Sequence, residues 1–202
     1  MTRVIAISGM MGSGKSSLAE QLAVLLPDAV VVCEDEFHTT VEQSVEDMKQ
    51  WLERGADVGE FDLSRLGQFL ERTCGPQSSM TTSSNQTSPQ YVLLETQFGR
   101  LHPVLKPWID WQCWIDLPTD LCVMRKVKQI ATEMASGEMI RDPSQGLRWI
   151  AEFCESYVDL THRLFAHQQT EVPKTSDVVL DGRSPVQELC SDLLESLPDH
   201  LR

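Results

Sequence analysis

The sequence predicts an α/β fold in which a mostly parallel five-stranded sheet carries helices on both faces. Two observations support this prediction: short apolar runs are typical of strands buried on both faces, and apolar residues between them recur at the spacing of a helix. The five predicted strands span residues 4–8, 29–33, 91–94, 113–116 and 178–180. Because strands that alternate with helices pack in layers, we expect helices on both sides of the sheet.

Five segments have the apolar periodicity of helices that pack one face against a sheet. Their stripes fall in residues 18–26, 41–52, 63–70, 147–158 and 186–197. The last stripe follows the order Ser184-Pro185-Val186-Gln187, which predicts a capping box with proline at the first helical position. The final helix is therefore expected to begin there.

Length and charge limit the classes of protein to which the chain can belong. The 202 residues are enough for one domain, residues 1–202, with a substantial core. Residues 75–90 are rich in Ser, Thr, Gln, Pro and Gly, and a flexible surface loop is predicted there. The net charge of −13 argues against broad contact with nucleic acid or an anionic membrane, because both need clustered Lys and Arg. With neither a long apolar run nor an N-terminal signal in the sequence, a soluble, cytoplasmic protein is expected.

A glycine-rich segment between the first predicted strand and the first predicted helix fits the pattern G-x-x-x-x-G-K-S. It consists of Gly9, Met10, Met11, Gly12, Ser13, Gly14, Lys15 and Ser16. Such a loop curls so that its N–H groups point at phosphates, and the helix N-terminus adds its dipole. Lys15 would reach the β- and γ-phosphates, Ser16 would bind Mg²⁺, and Ser17 can add a hydroxyl at the α-phosphate. The sequence therefore predicts ATP and Mg²⁺ as cofactors.

A strand-to-helix turn that binds no ligand would fit this segment poorly. Such a turn rarely combines three glycines, a lysine and a serine in this register. Two other classes of P-loop protein are also disfavoured. A GTPase would carry an N-K-x-D motif that recognises guanine, and a transporter ATPase an L-S-G-G-Q-like signature; the sequence has neither.

An acidic cluster follows the second predicted strand and contains Glu34, Asp35 and Glu36. In open α/β sheets, ligands bind beyond the carboxyl ends of the strands, so these acids should flank the phosphate loop. When a phosphoryl group moves to an alcohol, a positioned carboxylate can accept the hydroxyl proton, and Asp35 is the candidate base. The alternative is an acidic turn that is simply solvated.

Three segments carry a resemblance to a known family. Residues 34–38 resemble the D-x-F-[YFH] segment of the uridine kinase and nicotinamide riboside kinase group. Residues 116–126 are similar to the strand end and the start of the lid helix in bacterial uridine kinases, and residues 177–183 are similar to the last strand and the loop that borders adenine. The resemblance to these P-loop small-molecule kinases implies a three-layer P-loop NTPase fold with a small helical lid at about residues 125–145.

The resemblance also implies roles for individual residues. It gives Asp35 the role of base and places Glu95 near the metal and its water. Asp62 matches an acid that holds substrate hydroxyls; it could also cap the helix that begins at Leu63, and both can be true. Phe37 and His38 stand where the family faces the acceptor, and a surface histidine is an equal alternative for His38. In the same way, Arg183 belongs to the loop that borders the nucleotide.

The lid departs from the family pattern. Arg125 and Lys126 stand where uridine kinases have paired arginines, but Gln129 replaces the next arginine. Arg141 is the candidate that restores the missing charge, with an exposed loop arginine as the alternative. Arg100 lies near the predicted acceptor site and could hold an anionic group or pair with a surface acid.

The sequence thus predicts a kinase that transfers the γ-phosphoryl group of ATP to a hydroxyl of a small nucleoside-, ribosyl- or vitamin-like metabolite. A nucleotide-binding regulatory protein and a P-loop phosphotransferase with a larger acceptor are the alternatives. Trp108, Trp111 and Trp114 are assigned to packing in the core or at a subunit surface, which leaves a homodimer open.

Overall fold

The centre of the protein is a parallel sheet of five strands in the order β2-β3-β1-β4-β5, seen in a computed structural model that describes residues 2–37, 45–75, 88–136 and 142–202. The strands are β1 Arg3–Gly9, β2 Ala29–Cys33, β3 Tyr91–Thr96, β4 Trp111–Asp116 and β5 Val178–Asp181. Each predicted strand is present, and the observed strands extend the predicted ones by at most two residues at either end. The predicted α/β fold with a parallel sheet is confirmed.

Helices connect the strands in chain order. They are α1 Lys15–Leu25, α2 Val45–Glu53, α3 Ser64–Cys74, α4 Thr119–Ser136, α5 Pro143–Ser156, α6 His162–Glu171 and α7 Val186–Ser196. Short 3₁₀ turns follow β2 and β3, and a π-helical turn, Tyr157–Thr161, joins α5 to α6.

The helices form the two outer layers of a three-layer structure. Successive strand residues point to opposite faces, so Ile5 and Ile7 of β1 face one layer while Val4 and Ala6 face the other. On the first face, fully buried leucines of α1 and α7 cover the sheet; on the second, those of α3 do so together with the segment before β4. Each such side chain contributes about 1.5–3 kcal/mol by leaving water.

The edge strand β2 differs from the prediction that all strands are buried on both faces. Val30 and Val31 lie on opposite faces of β2 and both remain partly exposed. The reason is position, because β2 pairs with β3 alone and the helical layers reach less far over the edge.

Helix positions agree with the periodicity, but two details do not. Residue Pro185 is the N-cap of α7, which begins at Val186 without a side-chain cap, so the predicted capping box is wrong while the predicted start of the helix is confirmed. Helices α4 and α6 have no apolar stripe that predicts them: only the start of α4 is expected, from the resemblance, and the buried face of α6 includes the polar Gln168. Residues 41–44 of the predicted second helix and residues 76–87 of the predicted surface loop lie outside the described part of the chain.

In the part of the chain that the structure describes, none of the helices combines the length and apolar character needed to cross a membrane.

Candidate functional site

The phosphate loop fills the gap between the end of β1 and the start of α1. Gly12 and Gly14 adopt φ values of +81° and +106°, in the left-handed region that side chains disfavour. The N–H of Ser13 donates to the carbonyl of Met10 at 3.1 Å, which closes a tight turn. Glycines at positions 12 and 14 are therefore a requirement of the backbone.

The same loop packs closely against α4. A Cβ atom added at Gly12 would collide with the carbonyl oxygen of Cys122. Met10, from the loop, is fully buried beside Cys122 and Phe165 of α6. The hydroxyl of Ser13 is buried and has no hydrogen-bond partner among the described residues. The loop is thus held from behind while its other side faces a cavity.

Lys15, the first residue of α1, is half-buried and donates from Nζ to the carbonyl of Met10 at 3.2 Å. Burial lowers the pKa of Lys15, and the nearby carboxylates of Glu95, Asp35 and Glu34 oppose that effect. The ammonium group therefore lies at the centre of an acidic cluster at the carboxyl ends of β2 and β3.

Ser16 and Glu95 meet at the mouth of the loop. The Ser16 hydroxyl donates to Glu95 Oε1 at 2.9 Å, and Glu95 lies on β3 opposite Ile7 of β1. The described residues contain no group of three His, Cys, Asp or Glu side chains that could hold a metal ion by themselves. A hydroxyl and a carboxylate nevertheless fit Mg²⁺, which binds through one or two protein oxygens, water and substrate phosphates.

Asp35 lies in the 3₁₀ turn Glu34–Phe37 directly after β2, and its side chain is exposed to the cavity. The side-chain amide of Gln97 donates to Asp35 Oδ1 at 3.4 Å. The turn thus presents Asp35 beside Lys15 and Glu95, as the strand-end argument predicts.

Glu34 is not among the site residues predicted from the sequence, yet its side chain is only 2% exposed. It accepts hydrogen bonds from the hydroxyl of Thr96 and from the backbone N–H of Gln97, the latter at 3.3 Å. Glu34 therefore ties the segment after β2 to the segment after β3. A charged residue just after a strand is usually solvated, so no local pattern indicates this burial.

The phosphate loop, Asp35 and Glu95 line one cavity of about 890 Å³, which also reaches α4 and the loop between β5 and α7. Ten of the residues predicted to act in the site line it: Gly12, Ser13, Gly14, Lys15, Ser16, Ser17, Asp35, Glu95, Arg125 and Arg183. Cys33, Gln97, Lys126 and Gln129 also line it, although none of them is a predicted site residue.

Arg125 lies on α4, which follows β4, and Arg183 follows β5, whereas Asp35 follows β2 at the opposite edge of the sheet. The guanidinium of Arg125 donates to the carbonyl of Ser13 at 3.4 Å and to that of Gly182 at 3.1 Å, so it joins the phosphate loop to the loop after β5. Arg183 is 69% exposed and pairs with Asp181 at 2.7 Å. Hydrogen bonds from Arg183 lower the pKa of Asp181 to about 2.

Other predicted residues do not line this cavity. Gly9 closes the back of the loop, where an added Cβ would strike the hydroxyl of Ser13. Phe37 packs against Phe69 at a ring distance of 5.4 Å. Asp62 accepts the N–H of Ser64 at 2.9 Å at the start of α3, and hydrogen bonds from the Ser64 side chain and from this N–H lower the pKa of Asp62. Asp62 therefore binds a backbone N–H at the start of α3, although the N-cap residue is Leu63; its role in holding substrate hydroxyls stays a prediction.

Arg100 is engaged away from this cavity. Its guanidinium pairs with Asp177 at 2.6 Å and donates to the carbonyls of Ile109, Asp110 and Thr175. The side chains of the ion pair are 20% and 26% exposed. The structure favours the alternative, in which Arg100 pairs with an acid.

His38 and Arg141, the remaining predicted site residues, lie outside the described part of the chain.

Comparison with known proteins bears on the fold. No protein-family model matches the chain, and no curated protein matches it. Among solved structures, the chain is similar to a possible uridine kinase from Bacillus stearothermophilus, with a TM-score of 0.52 and 16% identity over 89% of each chain. It is also similar to a sugar kinase from Janibacter sp. HTCC2649, with a TM-score of 0.49 and 18% identity over 96% of this chain and 94% of that one.

A third similarity is to a gluconokinase from Sinorhizobium meliloti 1021, with a TM-score of 0.46 and 17% identity over 96% of this chain and 90% of that one. Of these similarities, only the one to the possible uridine kinase has a TM-score above 0.5, and the conclusion about the fold rests on it. The predicted three-layer α/β fold is confirmed, and the possible uridine kinase has a similar fold.

We predict that Arg100→Ala lowers the free energy of unfolding by about 2–3 kcal/mol, because Asp177 would lose its partner in a poorly solvated place. Affinity for ATP should stay unchanged. Urea unfolding and nucleotide titration measure the two effects. Arg54→Ala is the matched control, since its pair with Glu60 is exposed and its loss should change stability by about 0.5 kcal/mol or less. Unchanged stability in Arg100→Ala would contradict the structural role.

We also predict that Gly12→Ala destabilises the protein by at least about 1 kcal/mol more than Gly55→Ala, again measured by urea unfolding. Both positions have positive φ and share the backbone strain, but a Cβ at Gly55 would meet no described atom within 4 Å. The difference therefore isolates the contact between the loop and α4. Equal losses would show that this contact is loose.

Proposed function

We propose that this protein is a kinase that transfers the γ-phosphoryl group of ATP to a hydroxyl of a small metabolite of the nucleoside, ribosyl or vitamin type. The observation that carries the proposal is the shared cavity in which Lys15 and Ser16 of the phosphate loop lie beside the carboxylates of Asp35 and Glu95. Phosphate binding alone requires the loop, whereas transfer to an alcohol also requires a group that accepts a proton.

The nucleotide would occupy the part of the cavity between the phosphate loop and the loop after β5. The cavity volume of about 890 Å³ suits a ligand of this size. Backbone N–H groups around Gly12 and Gly14 would face the phosphates, and Lys15 and Arg125 would bring positive charge to them. Arg183, on the outer rim, would border the base.

Ser16 and Glu95 would hold Mg²⁺. When bound, the ion would neutralise part of the negative charge of the phosphates. Their hydrogen bond brings the Ser16 hydroxyl oxygen and Glu95 Oε1 within 2.9 Å of each other at the mouth of the phosphate loop. Glu95 is well suited to this role because it lies near the carboxyl end of β3, next to β1.

Asp35 would accept the proton of the acceptor hydroxyl. Asp35 follows β2 and Arg183 follows β5, the strands at opposite edges of the sheet. A hydroxyl beside Asp35 would therefore face the phosphate end of the nucleotide. A base of this kind works within hydrogen-bond distance of the proton that it removes.

The charges around Asp35 favour a neutral acceptor. Among the described residues at this end of the cavity, Lys15 is the cation, and it is surrounded by the acids Glu34, Asp35 and Glu95. Arg100, which could have supplied a second positive charge, is engaged with Asp177. A polyhydroxylated, uncharged molecule therefore fits better than a phosphorylated one.

The deciding experiment measures ADP release from ATP and Mg²⁺ with and without a panel of nucleosides, vitamins, sugars and glycerate. Release that depends on one acceptor supports the proposal. ATP binding without acceptor-dependent release would favour a regulatory nucleotide-binding protein, and release only with a macromolecular acceptor would favour the larger-acceptor alternative.

For Asp35→Asn we predict a fall in kcat of at least about 100-fold, because the amide cannot take the proton. The Kd for ATP should stay within about twofold, since Asp35 is proposed to contact the acceptor hydroxyl and not the nucleotide itself. Rapid-quench transfer assays and nucleotide titration provide the two values. Lys15→Ala serves as the contrasting variant, in which ATP binding itself should be lost. Full activity of Asp35→Asn would rule out Asp35 as the base.

For Glu95→Gln we predict that the Mg²⁺ concentration for half-maximal activity rises about tenfold or more, because a charged oxygen ligand is lost. A Mg²⁺ titration of ADP release at saturating ATP measures it. Glu36→Gln, an exposed acid in the turn after β2, is the control and should leave the Mg²⁺ dependence unchanged. Identical titrations for both variants would remove Glu95 from the metal site.

A further inference from the structure

Gln97 makes three hydrogen bonds, one of them to the candidate base Asp35. Its backbone N–H donates to Glu34 Oε2 at 3.3 Å, and its side-chain Nε2 donates to Asp35 Oδ1 at 3.4 Å. Its side-chain Oε1 accepts a hydrogen bond from Nε2 of Gln168 at 3.2 Å. Glu34 therefore binds the backbone of Gln97, and Asp35 binds its side chain.

Gln168 anchors this arrangement from α6. Its side chain is 1% exposed, and its Oε1 is buried without a hydrogen-bond partner among the described residues. A buried acceptor left in this way is unfavourable, because it has given up water without replacement. Among the described residues, the bond to Gln97 is the hydrogen bond that holds this buried amide.

The carboxylate of Asp35 fixes the direction of the whole chain of bonds. An ionised carboxylate can only accept, so the NH₂ end of the Gln97 amide must face Asp35. The oxygen of Gln97 then faces Gln168, and Gln168 must donate. Rotation of either amide by half a turn would place two acceptors against each other.

The acids around Asp35 explain why a neutral hydrogen-bond donor such as Gln97 suits this position. Asp35 lies close to the carboxylates of Glu34 and Glu95, and like charges push a flexible side chain away from them. An amide donor opposes that displacement without adding a cation that would compete with Lys15 for the phosphates.

We propose that Gln97 and Gln168 are positioning residues: the buried amide of Gln168 fixes the amide of Gln97, which orients the Asp35 carboxylate toward the acceptor hydroxyl. The inference rests on the proposed function, because it requires Asp35 to act as the base. It adds that helix α6, whose Gln168 lies 71 residues beyond Gln97 in sequence, sets the geometry of proton removal.

The first test compares acceptor-dependent ADP release by wild type, Gln97→Glu and Gln97→Ala, with the acceptor that the panel identifies. Gln97→Glu keeps the shape and still accepts the bond from Gln168, but it turns a carboxylate oxygen toward Asp35. We expect kcat to fall about tenfold or more in both variants, with KM for ATP within about twofold, because orientation rather than nucleotide binding is disturbed.

The second test examines the link to α6. Gln168→Ala should lower kcat about three- to tenfold, and the double variant Gln97→Ala/Gln168→Ala should be no slower than Gln97→Ala alone, since Gln168 acts through Gln97. Gln169→Ala is the matched control on the same helix. Its amide contacts Thr119 and the carbonyl of Leu117 instead, so its kcat should equal that of wild type.

The outcomes separate the two proposals. Wild-type kcat in Gln97→Glu, or additive losses in the double variant, would overturn the positioning role and leave the kinase proposal intact. Failure of the wild type to transfer to any acceptor would overturn both. Thermal unfolding of each variant checks folding; if Gln168→Ala does not fold, the half-buried Gln97→Glu decides the question.

Discussion

In the central sheet, Cys33 of β2 pairs with Glu95 of β3, and Ser8 of β1 pairs with Thr96 of the same strand. Because the strands are parallel, their carboxyl ends lie at one edge, and this register brings the residues that follow them into contact. A shift by one residue would turn Glu95 to the other face of the sheet and separate it from Ser16. The phosphate loop, the acidic turn and the buried Glu34 all depend on this pairing.

The arrangement concentrates negative charge around a single ammonium group. Such a cluster is costly, since carboxylates repel one another and burial disfavours the charged lysine. The protein limits the repulsion with neutral donors: Thr96 and the backbone of Gln97 satisfy Glu34, and Ser16 satisfies Glu95. Of these donors, Ser16 and Gln97 also line the cavity, whereas Thr96 is buried behind it.

Local patterns are sufficient to predict the fold and much of the cavity. Apolar runs locate the strands, and the spacing of glycines, lysine and serine locates the loop, because both depend on residues close in sequence. Arg100 could not be placed in this way, since its partner Asp177 lies on the segment before β5. The burial of Glu34 and the contact of Gln97 with Gln168 likewise depend on packing between distant segments, for which a single sequence carries no periodic signal.

The π-helical turn Tyr157–Thr161 has a consequence for the phase of the helix that follows it. A π turn holds about one residue more than an α turn, and one residue corresponds to a rotation of roughly 100° about the axis. With a regular α-helix through this point, α6 would turn different side chains toward the sheet, and Phe165 and Gln168 would leave their buried positions. A length change of one residue in this remote turn would thus act as a rotation of Gln168 beside Gln97, the residue that contacts Asp35.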